Sequence, residues 1–408
     1  MPRSAFPWRL GVILASLLLL VGAAPPGAPA PPPSTPAAPA PRRMRVVFLD
    51  ALPDRPFRRN VVGAMRAAAN DLGIDFVDYV LSHWPGEILE QTRRLVSGPE
   101  RPDYLITSIH RGIGTRILEV AEQAGVPVFV INSGLRPEDR QRVGGPREHF
   151  HHWLGQMLPD DAGAGERLAL LLLEAARARG SSPDTPVRLV ALEGPRRDTS
   201  AILRNEGLRH ALAGRKGAEL LQSVSASWLG DEARRKTSLL LRRYPGAQVV
   251  WAANDDMALG AVRGMEDVGR RPGEDVWVGG IDWTPQALQA VREGKLVTSL
   301  GGHFLEGAWA LVLLYDHAQG RDFASERLEW HTSFLPLTRA NVAGYQDVLA
   351  QPDWEAFDFR AFSKAANPRL THYDFSLQTL FAQRDGRLPG GRLDSNATPR
   401  PPPHKPRP

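Results

Sequence analysis

The chain has 408 residues, 42% of them hydrophobic and 23% charged, a composition that fits a globular protein of about two to three domains and excludes a disordered or fibrous chain. Its net charge of +5 is spread along the sequence, with several arginines in a Pro-rich tail, so it lacks the concentrated basic surface that nucleic acid requires. The absence of cysteine excludes a disulfide framework and a lipid-modified cysteine and leaves packing as the source of stability.

The first residues read as an export signal. Arg3 and Arg9 supply the charged start, Gly11 to Leu20 the apolar run, and Val21-Gly22-Ala23 a small-residue cleavage site. The run is shorter than the roughly 20 residues that span a bilayer, and Pro25 and Pro26 follow at once, so residues 1–23 are expected to be removed rather than kept as an anchor. Residues 24–43 are mostly Ala and Pro and read as a spacer; residues 386–408 read as a disordered Pro/Arg-rich tail. The folded body then runs from about Met44 to about Gln383.

Residues 45–50 (RVVFLD) predict a strand. Residues 60–72, with apolar side chains at Val61, Met65, Ala68 and Leu72, predict a helix. The pattern repeats with a strand over 75–80 and a helix over 87–96, then a strand over 104–107, a helix over 114–124 and a strand over 127–131. After Pro159 a second series reads helix 162–179, strand 187–192, helix 201–213, strand 219–226, helix 231–244, strand 247–252, helix 256–268 and strand 276–281. Strands that are apolar nearly throughout, between amphipathic helices, imply doubly wound parallel sheets. Two series imply two α/β lobes, and loops at the carboxyl ends of the strands place a ligand pocket between them. No Gly-x-Gly-x-x-Gly follows a strand and no Gly-x-x-x-x-Gly-Lys-Ser/Thr is present, which disfavours dinucleotide and nucleoside triphosphate enzymes. A hydrolase nucleophile elbow and a His-Glu-x-x-His helix are also missing; no catalysis, cofactor or metal is expected. His149, His151 and His152 sit in a polar segment without carboxylate spacing and read as a solvated loop.

Residues 250–260 (VWAANDDMALG) and the stretch VWVGGIDWTPQALQAVREGKLVTSL from Val276 resemble second-lobe segments of type I periplasmic binding proteins, the ribose- and galactose-binding group, which also resemble LacI-type repressors. DRPFRRNVVGAMRAAANDLG and RNEGLRHAL fit the same family. A repressor would carry a helix-turn-helix before the first strand; a signal and a spacer stand there instead. The resemblance implies two doubly wound parallel-sheet lobes joined by a three-strand hinge, the first formed by residues 44–158 and 303–333, the second by 159–302 and 334–348. Crossings fall near Pro159, His303 and Phe334. Residues 349–385, rich in aromatics, extend beyond the usual family end and are expected to pack on the body.

The resemblance also implies a function: a monomeric periplasmic receptor that closes on a sugar or polyol and delivers it to the permease subunits of an ABC importer. The alternative is a co-receptor presenting a sugar-like or quorum signal to a membrane histidine kinase, cyclase or chemoreceptor. Asp282 sits where the family places a hydroxyl-binding aspartate, Asn254 resembles its amide ligand and Arg204 its pocket arginine. Each has a plainer reading, a helix cap for the first two and an exposed helical arginine for the third; Thr284 and Asp255 could do the capping instead. Asn132 and Ser133 stand where ribose binders have an aspartate and an arginine, which makes a plain pentose a less secure ligand. Phe57, flanked by Arg55 and Arg58, takes the family's place for an aromatic that stacks on a sugar ring. Trp228 and Trp283 are further strand-end aromatics, and Trp283 directly after Asp282 is similar to a relative that senses a furanosyl borate signal. Ser108 and His110 are expected to line the first-lobe wall.

Overall fold

The computed structural model describes residues 42–50, 54–81, 84–178 and 185–385; the expected export signal, nearly all of the spacer and the tail lie outside them. The first sheet is built from β1 (Arg45–Asp50), α1 (Pro56–Leu72), β2 (Asp75–Val80), α2 (Pro85–Ser97), β3 (Tyr104–Thr107), α3 (Gly114–Ala124), β4 (Val128–Ile131), α4 (Pro137–Val143) and β5 (Trp153–Pro159). The second follows with α5 (Asp161–Ala178), β6 (Val187–Glu193), α6 (Thr199–Leu212), β7 (Ala218–Ser225), α7 (Gly230–Arg243), β8 (Val249–Ala252), α8 (Asp255–Glu266), β9 (Trp277–Ile281), α9 (Pro285–Glu293) and β10 (Thr298–Gly301). The chain then returns through α10 (Glu306–Ala318), β11 (Glu329–Thr332), β12 (Leu335–Thr338), α11 (Ala343–Leu349) and α12 (Leu377–Asp385).

The strand orders are β11-β5-β4-β3-β1-β2 and β12-β10-β9-β8-β6-β7. Every pairing is parallel except that of β12 with β10. Helices cover both faces, so β3, β4, β8 and β9 are buried along their whole length, as the unbroken apolar runs require. The chain passes between the sheets after β5, after β10 and between β11 and β12.

Local signals set the helix ends that matter for the site. Pro56 occupies the first turn of α1, where its fixed φ is already helical and its missing N–H costs nothing. The helix therefore begins four residues before the apolar periodicity does, and Phe57 lies in a helical turn rather than in the expected loop. Gly73, at φ 66°, closes the other end in a left-handed conformation that favours glycine. The α10 helix is apolar on all sides because it is enclosed by α1, the first sheet and the segment after α11.

Residues 350–375 pack on the first lobe. Phe359, Phe362 and Phe375 surround Trp309 of α10. The buried Asp316 carboxylate accepts hydrogen bonds from Ser363 Oγ, the Lys364 and Ala365 amides, and Tyr373 Oη. Among the described residues no helix is long and apolar enough to cross a membrane.

Candidate functional site between the lobes

The loops at the carboxyl ends of the two sheets face each other around about 890 Å³ of atom-free space, part of it open to solvent. The first lobe contributes Arg55, Phe57 and Arg58 after β1, His110 and Arg111 after β3, and Asn132 after β4. The second contributes Asp198 and Arg204 after β6, Trp228 after β7, Asn254 and Asp256 after β8, and Asp282 after β9; His303 stands at the crossing after β10. The lobes touch. Arg55 Nη1 donates to the Trp228 carbonyl at 2.5 Å and to Asp256 Oδ2 at 3.1 Å, the Arg111 amide donates to Asp198 Oδ1 at 3.0 Å, and Thr199 Oγ1 donates to the Gly134 carbonyl at 2.8 Å. The cleft is closed.

Arg204 organises the second-lobe wall. It is buried in α6, donates from Nε to Asp161 Oδ1 at 2.7 Å and from Nη1 to the Ala253 carbonyl at 2.7 Å, and places Nη1 3.7 Å from Asp282 Oδ1. Its guanidinium lies over both Trp228 and Phe334, 5.6 Å from each ring centroid. Burial raises the Asp161 carboxyl to about 6 against the pull of Arg204. Burial also pushes Asp282 well above the ordinary carboxylate range; Arg204 opposes this, while Asp255, Asp256 and Asp161 add to it. Asp282 is thus a buried acceptor beside a fixed guanidinium, with room on the cavity side for a hydroxyl.

The backbone at the cavity is strained. Arg111, Asn132, Ser227, Trp228 and Asp282 all have positive φ, at 54°, 63°, 54°, 63° and 135°, and all line the cavity. Left-handed conformations are unfavourable for residues with a Cβ, and they concentrate where a site over-determines them.

His303 is almost fully buried, and both of its ring nitrogens lack a hydrogen-bond partner. Its ring stacks on Phe57, with centroids 4.6 Å apart and planes at 25°, and contacts Phe334 on another side at 4.5 Å. Burial, reinforced by Arg204, holds its pKa well below the usual imidazole value, so it offers one neutral donor and one acceptor. His110 behaves oppositely. Burial lowers its pKa, but the Asp50 carboxylate, 3.3 Å from Nε2, and Asp198 raise it past the usual value.

Of the residues singled out from the sequence, Asp282, Asn254, Arg204, Asn132, Phe57, Trp228, Arg55 and His110 line the cavity, whereas Ser108, Ser133 and Trp283 do not. Trp283 is fully buried behind the wall, donating from Nε1 to the Ser299 carbonyl at 3.0 Å and packing on Phe304 and Tyr345; it cannot stack on a ligand. Asn254 is itself the cap of α8, its Oδ1 accepting from the Met257 amide at 3.0 Å. Asp255 caps nothing; it accepts from Thr284 N and Oγ1 and from Ser299 Oγ. Thr284 caps α9, which leaves Asp282 free of that duty. Arg204 is not the exposed helical arginine of the plainer reading. One face of Phe57 is stacked on His303, and Trp228 is wedged between Arg204 and Gly194, where an added Cβ would come within 2.3 Å of the indole. His152 of the histidine cluster pairs with Glu122 at 3.1 Å, and among the described residues no group of three or more metal-ligating side chains is assembled.

Sequence reasoning missed Asp198, Arg111, Asp256 and His303. Asp198 and Asp256 follow β6 and β8 at the carboxyl edge, so position alone could have found them. Arg111 and His303 carry no local signal beyond the same placement.

Two mostly parallel sheets joined by crossing segments over a polar cavity at their carboxyl edges define a two-lobed α/β protein with an interlobe site. The chain belongs to the periplasmic binding protein family, in its type I, ribose- and galactose-binding form: a family model described as a periplasmic binding protein domain matches residues 46–322. The chain is similar to a crystallised periplasmic sugar-binding protein from Pseudomonas fluorescens, with 34% identity and a TM-score of 0.75 over 83% of this chain and all of that one. It is 27% identical over 208 residues to the xylitol-binding protein of Mycolicibacterium smegmatis, covering 50% of this chain and 53% of that one. It is 30% identical over 183 residues to the ribose import binding protein of Escherichia coli, covering 45% and 54%. The chain thus spans about half the length of these curated relatives.

Proposed function

We propose that this protein is an exported receptor that captures an uncharged sugar or polyol between its lobes and hands it to the membrane permease subunits of an ABC importer. The observation that carries the reading is the buried set of Asp282, Arg204 and His303 at one wall of a closed cleft. It combines a strong acceptor, a fixed guanidinium and a neutral imidazole with unused hydrogen-bonding capacity, the groups that satisfy neighbouring hydroxyls. The charges favour a neutral guest, since Arg55, Arg58 and Arg204 are already matched by Asp256, Asp78 and Asp161. The sugar-binding relatives support the same class, and the apolar run and cleavage site at the N-terminus support export. A thermal-shift screen of pentoses, hexoses in furanose and pyranose form, pentitols and inositols tests it. A ligand at about 100 times its Kd should add roughly 2.7 kcal/mol of stability; a panel that leaves the melting temperature unmoved would overturn the proposal.

A further inference from the structure

Six buried aromatic rings form a closed cycle on the hinge side of the cleft. Trp283 packs on Tyr345 at 5.6 Å, Tyr345 on Phe381 at 6.1 Å, and Phe381 on Phe357 at 5.8 Å. Phe357 packs on Trp354 at 5.9 Å, Trp354 on Phe304 at 5.3 Å, and Phe304 on Trp283 at 6.5 Å, which closes the ring. The members come from different bodies. Trp283 follows β9 and Tyr345 lies in α11, both in the second lobe. Phe304 lies in the crossing after β10. Trp354 and Phe357 belong to the segment after α11 that packs on the first lobe, and Phe381 to α12 beyond it. Trp354 is seated against Gly63 of α1, where an added Cβ would come within 2.8 Å of its ring. The Phe359 amide donates to Asp71 Oδ2 at 2.7 Å and Asn70 Nδ2 donates to Glu355 Oε1 at 2.8 Å.

The segment therefore makes a fourth covalent passage between the lobes, from α11 on α9 back to α1, beside the three within the two sheets. It also touches the hinge itself: Leu377 of α12 lies where a Cβ on Gly302 would meet it at 2.6 Å, and Gly302, at φ 111°, is the first residue of the crossing after β10.

We propose that this aromatic cycle is a hinge clasp through which the C-terminal segment sets the resting angle between the lobes and holds Asp282 in its ligand-facing pose. Opening must turn Trp283 and Tyr345, which move with the second lobe, against Trp354 and Phe357, which are fixed to the first. Close-packed aromatic interfaces do not shear continuously, so the clasp restricts the range of opening. Trp283 immediately follows Asp282, and both have positive φ; the packing of the indole maintains that strained pair. Leu377, Phe381, Phe357 and Trp354 are positioning residues, since none lines the cavity.

The first test needs no ligand. The cysteine-free chain accepts spin labels at Arg94→Cys and Asp231→Cys, two exposed sites on opposite lobes, and pulsed electron resonance reads the interlobe distance. The expected result is a narrow distribution in the parent and a longer, broader one in Phe381→Ala and Leu377→Ala, with Phe381→Leu close to the parent. Near-UV circular dichroism checks that each variant is folded. If Phe381→Ala does not fold, the milder Leu377→Ala decides. A folded Leu377→Ala or Phe381→Ala variant with the parent's distribution would overturn the clasp. The positioning of Asp282 rests on the proposed function and is read separately, as a loss of about tenfold or more in affinity for any sugar that the parent binds. Unchanged affinity would overturn that part alone, and a parent that binds no sugar would overturn the proposed function while the distance measurement still judges the clasp.

Discussion

Arg55 of the first lobe reaches across the cleft to Asp256 of the second, Nη1 to Oδ2 at 3.1 Å, while the same nitrogen donates to the Trp228 carbonyl. Both side chains are about one-quarter exposed, so the pair is a latch at the rim rather than part of a dry interior. Partly exposed ion pairs contribute about 0.2–1 kcal/mol. Arg55→Ala should therefore shift the ligand-free protein toward open forms by up to about fivefold. Scattering should report a larger radius of gyration for the variant, and added salt should enlarge the parent in the same direction. Identical, salt-independent radii would show that the latch does not govern closure.

Asn254 separates two roles that sequence alone leaves entangled. Its Oδ1 caps α8 by accepting from the Met257 amide, and loss of such a cap costs about 0.5–2 kcal/mol. Asn254→Ala should lower folding stability by that amount in denaturant titrations. Asn254→Asp, which keeps the acceptor, should restore most of it. If Asn254→Ala is as stable as the parent, the cap contributes nothing and the residue serves the cavity alone.

Much of the architecture was legible because parallel-sheet strands are buried on both faces and stand out as apolar runs between amphipathic helices. The strands that escaped notice are those with weak apolar runs: β5 contains Gly155 and ends at Pro159, and β10 (TSLG), β11 (EWHT) and β12 (LPLT) break theirs with polar residues, Gly or Pro. The cavity was legible by position at Asp282, Asn254 and Asn132, which follow strand ends; Arg204, inside α6, was reached through the family resemblance. What failed was the assignment of neighbours. Asn132, Asp282 and Trp283 lie just past their strand ends with positive φ, so their side chains do not follow strand geometry: Asp282 and Asn132 line the cavity while Trp283 and Ser133 turn into buried positions away from it. The His303–Phe57 stack was invisible because it pairs residues about 250 positions apart, which local patterns do not report.

His303 gives the site a pH signature. Its folded-state pKa is depressed, chiefly by burial, so the unfolded chain takes up a proton near 6.5 that the folded state refuses. The imidazole's contribution is fully present above about pH 6.5 and is lost as pH falls below it, by at most about 1.4 kcal/mol per pH unit for one proton. Glu306 works the other way: burial raises its pKa well above 4.5, so its contribution declines as pH rises past that value. Denaturant titrations from pH 7 to pH 5 should show His303→Gln losing less stability than the parent. Parallel pH profiles would mean that His303 protonates in the folded state and is not the neutral reader of hydroxyls inferred here.

Asp282 is where stability and binding should part company. The Asp282 carboxylate is 3.7 Å from Arg204, whose short partner is Asp161 at 2.7 Å, so Arg204 stays paired when Asp282 is removed. Burial, with Asp255, Asp256 and Asp161 adding to it, makes the Asp282 charge costly, and Thr284, not Asp282, caps α9. Asp282→Ala should therefore leave the ligand-free melting temperature unchanged or raised, as expected where a binding group is held at a cost to stability. Ligand affinity should fall, because hydroxyls sealed in the closed cleft would lose the hydrogen-bond partner that Asp282 supplies, at about 1–3 kcal/mol for an unpaired buried polar group. That is roughly ten- to a hundredfold. Asp282→Asn, which keeps an acceptor oxygen but not the charge, should fall between the parent and the alanine variant. Calorimetric titration with a ligand from the sugar screen, beside a melting curve on each protein, reads both quantities. A variant with lowered stability and unchanged affinity would remove Asp282 from the binding site and leave it a structural role only.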